Sequence, residues 1–354
     1  MKSELHDELR SPTGGAWPQA LIHATHGFMS SQVLFTLEEI GAFEQLRVGP
    51  LSTTQLALAT KCDPNALERL VTAGVTLGLL ERNAQRESLI PTQLLPLLDP
   101  SSPRCITGIF EHFRRVSLRA FGVLTDAIRH GRSCFWEDHG EHVEGAFESM
   151  YSTAEGTSRF AGAMWALGYH AASELCEMFP PLGSRCLVDL GGGSGSFSIA
   201  ALERWPELTA VVADLPSMKP VVEAAAVQRG LQQRLSFVAC DFFRDPLPRA
   251  DIYALGYVLS DWSYERGSSL LTRAYDALPP GGLVLVLERL FDEDRSGPAT
   301  TALMDLAMLL ETQGMHRTGI EYVQWLQRTG FVDCQVYRSS QEKHAIIGFK
   351  PSLS

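Results

Sequence analysis

The chain of 354 residues contains no run of 18 apolar residues, so no segment is long enough to cross a bilayer as a helix. Its opening, MKSELHDELRSPTGG, has no apolar core of the kind a secretion signal needs, and a cytoplasmic location is the expectation. Cysteine is sparse and scattered. The seven residues are Cys62, Cys105, Cys134, Cys176, Cys186, Cys240 and Cys334, and none lies within five residues of another. No CxxC knuckle exists, and an odd number of thiols in a chain this large reads as free, mostly buried cysteine. Positive charge is also short. Lys and Arg total 30 against 41 Asp and Glu, a formal net charge of −11. Nonspecific nucleic-acid binding depends on neutralising phosphates, so a nucleic-acid partner is not expected. Internal repeats and low-complexity tracts are missing too. What remains is globular in character, 45% hydrophobic and 20% charged, and long enough for about two domains.

Residues 1–15 are polar, end in Ser-Pro-Thr-Gly-Gly, and read as a flexible tail. Residues 16–110 begin with a helical pattern in which Phe28, Val33, Leu34, Leu37, Ile40 and Phe43 recur every three or four positions. Two short helices follow, with caps at Ser52-Thr53-Thr54 and Asp63-Pro64. The segment LLERNAQRESLIPT after them suggests a small β-wing. Helix, turn, helix and wing make a winged-helix pattern, but the second helix carries one Arg and no basic cluster. The module reads as one for packing or dimerisation rather than DNA binding. Residues 111–182 are bridging helices. From residue 183 short β-branched runs alternate with helical segments up to GGLVLVLERL, and VDCQVYRSS with KHAIIGFK closes the chain as a hairpin. That grammar predicts an α/β domain over 183–354, a parallel sheet wound on both faces with an antiparallel edge.

The chemistry begins at VDLGGGSGSF, where a strand ends and a helix starts. Gly191, Gly193 and Gly195 stand at every second position, so the spacing is not the G-x-G-x-x-G that seats a pyrophosphate. Asp189 just before the turn would repel a phosphate, and suits a cationic or hydroxyl-rich ligand. S-adenosyl-L-methionine has an ammonium, a sulfonium and no phosphate. Asp214 ends the next strand, placed to hold ribose hydroxyls. Asp241 ends the third, with Phe242 beside it for an adenine base.

Together with VVADLP, CDFFRDPLPRADIY, VLSDW and LPPGGLVLVLE, the loop resembles the class I S-adenosylmethionine-dependent methyltransferases. Among these the chain is similar to the small-molecule O-methyltransferases of the acetylserotonin (hydroxyindole) and caffeate type. HGFMSSQVLFTLEEIGAFEQL, AFESMYS and LLETQGMHRT carry the likeness, which spans about residues 16–349. It implies a winged-helix dimerisation domain, a Rossmann-like methyltransferase domain, and a homodimer in which one subunit's N-terminal helix helps close the other's site. It implies Asp189, Gly191 and Gly193 at the methionine and ribose end of the cofactor, Asp214 at the ribose hydroxyls, and Asp241 with Phe242 at the adenine, with Leu215 and Trp262 also counted among the cofactor-binding residues. Phe160, Met164, Trp165, Tyr257, Met304, Ala307 and Met308 would form a slot for a flat aromatic.

The chain departs from that family at its base. An HDW tripeptide usually supplies a histidine. Here it reads Ser260-Asp261-Trp262, and serine is no base near neutral pH without an activating partner. A G-x-E-R-T segment usually supplies a glutamate, and here it reads Gly314-Met315-His316-Arg317-Thr318. His316, Ser260 and Asp261 are therefore the catalytic candidates, with His316 as proton acceptor. Tyr257 and Ala307 replace the arginine and asparagine of the acetylserotonin type, which points away from that acceptor. Transfer to an oxygen is the leading expectation. Transfer to a ring carbon of a tyrosine- or hydroxykynurenine-like phenol, or a non-methylating relative, stay open. Among the remaining histidines, His139 and His142 flank Glu141 without a metal-binding spacing, and no metal is expected.

Overall fold

The computed structural model describes residues 18–102, 104–135, 153–179 and 185–352. The expected tail, the AFESMYS segment and the His139–His142 stretch lie outside the described residues. The chain divides into two compact units, Met1–Ser102 and Pro103–Ser354.

In the first unit the long helical pattern is interrupted. Helix α1 (Gln19–Glu39) stops before Gly41, whose φ of +75° breaks the helical path, and α2 (Ala42–Val48) starts again. Helix α3 (Thr53–Thr60) opens with a capping box in which Ser52 and Gln55 satisfy each other's backbone N–H groups. Helix α4 (Pro64–Thr76) opens with Asp63 accepting from Asn65 and Ala66, and proline stands where no N–H is needed. Strands β1 (Glu81–Arg82) and β2 (Ser88–Leu89) pair antiparallel as the expected wing.

The second unit starts with α5 (Thr107–His112), a helix that sequence reading had divided between the N-terminal module and the bridging helices. A π-helical turn, Phe113–Ser117, follows it directly. Helix α6 (Leu124–His130) and the 25-residue α7 (Ala154–Met178) come next. The sheet then builds from β3 (Cys186–Leu190), α8 (Ser196–Arg204), β4 (Thr209–Asp214), α9 (Lys219–Gln228), β5 (Leu235–Ala239), β6 (Ile252–Gly256), α10 (Tyr264–Ala277) and β7 (Leu283–Glu288). The segment β8 (Leu290–Phe291), α11 (Ala299–Glu311), β9 (Arg317–Thr318) and α12 (Gly319–Thr329) leads to β10 (Val332–Tyr337) and β11 (His344–Phe349).

Seven strands lie in the order β10-β11-β7-β6-β3-β4-β5. The five strands from β7 to β5 are parallel, while β11 runs antiparallel to both β7 and β10. Alternate residues feed two cores, one on each face. Leu187, Val212, Ile252 and Ala254 pack on one side, and Val188, Leu190, Tyr253 and Leu255 on the other. Strand order reverses between β3 and β6. A crevice opens there beyond the carboxyl ends of the strands, where open α/β sheets bind ligands.

Candidate active site

Those strand ends carry acids. Asp189 lies near the end of β3, Asp214 ends β4, Asp241 follows β5, and Glu288 ends β7. The backbone after β3 turns through Gly191 at φ +67°. A side chain there would place Cβ 3.0 Å from Val258 and 3.1 Å from Phe242. The loop is tied to β4 by Gly191 N–H donating to Ala213 O (2.8 Å) and Gly193 N–H to Asp214 Oδ2 (2.7 Å). Leu215 N–H donates to Asp214 Oδ1. Burial pushes both Asp189 and Asp214 up to about 6, so the site holds two acids whose ionised forms want a cation.

A cavity above this loop is lined by Gly191, Gly193, Asp214, Leu215, Asp241, Phe242 and Trp262, residues the sequence marked for the cofactor. Asp189 is a correction. It does not line the cavity, because the loop folds over its carboxyl at Gly192, and Ser198 Oγ donates to it from below (2.9 Å). Its influence on a ligand is electrostatic. At the far end Phe242 and Phe243 meet edge to face, Phe243 meets Trp262 likewise, and the Arg266 guanidinium lies 4.1 Å over Trp262. Glycines permitting close approach, acids for a cation and for hydroxyls, and aromatic rings for a base fit S-adenosylmethionine.

A second, smaller cavity adjoins the first and shares Phe160, Met164, Tyr257 and Asp261 with it. Ser260, Met304, Met308 and His316 line it. Trp165 and Ala307 do not line either cavity. Trp165 stacks on Tyr169 at 4.5 Å with Arg229 over both rings, and Ala307 is buried. The loops carrying Ser260 and His316 are pressed together. A Cβ on Gly314 would fall 1.9 Å from Ser260 O, so only glycine fits, and Gln313 N–H donates to Asp261 O. Tyr257 sits just past β6 with φ +56°, a costly backbone for a bulky residue and one that marks functional sites.

Electrostatics bears on the expected base. His316 is 2% exposed. Burial, with Arg289 and Arg317 nearby, takes it down to about 3. That setting favours the neutral imidazole. Neither ring nitrogen has a hydrogen-bond partner among the described residues, and the same holds for Ser260 Oγ and Tyr257 Oη. Asp261 is raised well above the usual carboxylate range by burial, then by Glu288 and Glu311, and Glu288 is raised by burial to about 7.

Sequence reasoning missed a pair on the same cavity. His112 Nε2 lies 3.2 Å from Glu311 Oε2, and both residues line the cavity beside Phe160. Glu288 was findable, since it repeats at β7 the strand-end acid already noted at the strands before it. His112 carried no such signal, because it sits in a helical run with no partner nearby in sequence.

Residues 121–332 match the O-methyltransferase domain and residues 22–91 the O-methyltransferase dimerisation domain. The chain belongs to the S-adenosylmethionine-dependent O-methyltransferase family and acts on a small molecule. It is 32% identical to acetylserotonin O-methyltransferase of Gallus gallus over 339 residues, covering 94% of this chain and 98% of the relative. It is 30% identical to the tetracenomycin polyketide synthesis 8-O-methyl transferase of Streptomyces glaucescens over 338 residues, 94% of this chain and 97% of that one. The crystal structure of human N-acetylserotonin methyltransferase in complex with SAM superposes with a TM-score of 0.89 at 32% identity, over 96% of this chain and all of that one. The expected α/β fold with a dimerisation domain and antiparallel C-terminal strands holds. Among the described residues no helix is long and apolar enough to cross a membrane.

Proposed function

We propose that this protein, as a homodimer, methylates a hydroxyl group of a small flat aromatic in secondary metabolism. The shared wall of Phe160, Met164, Tyr257 and Asp261 carries the reading, because an acceptor in the smaller cavity lies against the cofactor cavity. Ile109, Phe113, Met304 and Met308 give that cavity apolar sides suited to a ring. Ser260 Oγ, Tyr257 Oη and the His316 nitrogens give it buried polar groups that an acceptor's own polar atoms satisfy. When bound, S-adenosylmethionine supplies a methyl group made electrophilic by its sulfonium.

The hydroxyl that attacks must lose its proton. His112 with Glu311 is the pair for that task. A carboxylate at Nε2 leaves Nε2 as the donor nitrogen and Nδ1 as the acceptor, and it offsets the charge the ring gains. His316 instead orients the acceptor as a neutral ring. Phe160 and Met164 exclude water between the two ligands. The names of the relatives support oxygen over ring carbon as the methylated atom, and Tyr257 in the cavity wall supports an acceptor other than acetylserotonin. Homodimerisation is supported by the dimerisation domain and by α1, which leaves Leu21, Phe28 and Met29 each more than half exposed.

Incubation with S-adenosylmethionine and a panel of phenols tests the reading by mass spectrometry and NMR. A product heavier by one CH2 unit with a methoxy signal is expected. A new aryl C–CH3 signal without methoxy, or no turnover across the panel, overturns it.

A further inference from the structure

We propose that Lys343 binds the carboxylate of the cofactor's methionine moiety and is the cation that makes the acidic end of this cavity accept a zwitterion. This rests on the cofactor assignment above and extends it to a residue outside every motif that led there. S-adenosylmethionine carries one anionic group, the carboxylate, and must bury it beside Asp189 and Asp214. Three cationic side chains line the cavity: Arg244, Arg266 and Lys343. Arg244 is largely exposed and pairs with Asp241 at 3.5 Å, and Arg266 lies over Phe243 and Trp262. Both belong to the aromatic end. Lys343 is the one lining cation at the glycine-loop end among the described residues.

Its setting is built for a charged amine. Lys343 stands on the approach to β11 and is only 4% exposed. A Cβ on Gly256, at the end of β6, would lie 3.3 Å from Nζ, and one on Gly168, in α7, 3.5 Å. Two bare backbones thus make room for the ammonium, and the Tyr257 ring lies under it at 4.0 Å. Asp189 and Glu288 on the ends of β3 and β7 favour its charged form, and Arg289 opposes it. Burial lowers the amine to about 8, so it stays largely protonated at neutral pH. Ser196, at the start of α8, lines the cavity on the same side.

Calorimetry with two ligands tests this without knowledge of the acceptor. S-adenosylmethionine is compared with decarboxylated S-adenosylmethionine, which keeps the sulfonium and the amine. Wild type is expected to favour the carboxylated ligand about 10- to 100-fold, the range of a charge-assisted hydrogen bond. Lys343→Met is expected to lose that preference while binding the decarboxylated ligand at least as tightly as wild type does, and Lys343→Arg to restore part of it. If Lys343→Met shifts the affinity of both ligands equally, the lysine acts only through the overall charge beside Asp189 and Glu288 and the proposal falls. If the variant does not fold, wild type decides alone, because equal affinity for the two ligands overturns the proposal. Failure of wild type to bind either ligand would instead overturn the cofactor assignment.

Discussion

His112 Nε2 lies 3.2 Å from Glu311 Oε2, and the two residues stand 199 positions apart in the chain. One ends α5 just before the π-helical turn and the other ends α11. The irregular turn is the local device that changes the helical register directly after the histidine.

If this pair takes the acceptor's proton, His112→Asn lowers kcat/KM by roughly 10²- to 10⁴-fold and leaves S-adenosylmethionine affinity unchanged. Glu311→Gln keeps the shape, removes the charge, and costs less. Both are measured on the first phenol that turns over. An unchanged kcat/KM in His112→Asn would remove His112 from the role.

His316→Phe separates orientation from proton transfer. The substitution is expected to raise the acceptor's KM while leaving the shape of the pH–rate profile intact. Its effect on stability has a sign. The folded value of about 3 lies below the ordinary histidine value of 6.5, so the unfolded chain binds the proton more readily. Wild type therefore loses stability as pH falls below about 6.5, and the phenylalanine variant escapes that loss. Denaturant melts at acid and neutral pH measure the difference.

Asp189 and Asp214 make cofactor binding depend on pH. Burial raises both to about 6, above the unfolded value of about 3.9. The native protein without ligand therefore holds these protons more tightly. The stabilisation is fully present below about pH 4 and is lost as pH rises through about 6. A cationic ligand favours the ionised acids, so S-adenosylmethionine affinity is expected to climb up to about pH 6 and level off above it. Asp214→Asn should flatten the climb and weaken binding at neutral pH. Calorimetry that finds constant affinity between about pH 5 and pH 7 contradicts this.

Gly191→Ala tests the close approach at the loop. A β-carbon must enter at φ +67° and within 3.0 Å of Val258 and 3.1 Å of Phe242. The left-handed backbone alone costs about 1–2 kcal/mol. Loss of S-adenosylmethionine binding is expected to exceed the loss of thermal stability, since the crowding shifts Phe242 in the cavity wall. Equal or unmeasurable effects on both would contradict the assignment.

Much of this protein was legible in one dimension because its signals are local. Helix starts at Ser52 and Asp63, the glycine turn at 191–195, and the strand-end acids Asp214 and Asp241 all depend on neighbours within a few residues. The failures share the opposite property. Trp165 and Ala307 have the right chemistry for an acceptor slot, but helical phase turns one onto Tyr169 and Arg229 and the other into the interior. Asp189 stands just before the glycine turn, and the backbone after it folds across its carboxyl.

The sequence by itself determined the class of fold, the cofactor and the missing histidine at Ser260, because strand and helix periods and a glycine turn are encoded where they occur. Only the tertiary structure decided what surrounds each candidate for proton transfer. Charge and solvation at a side chain depend on everything packed around it. His316 is buried beside Arg289 and Arg317, His112 gains a carboxylate from another helix, and Lys343 reaches the cofactor cavity from the far end of the chain.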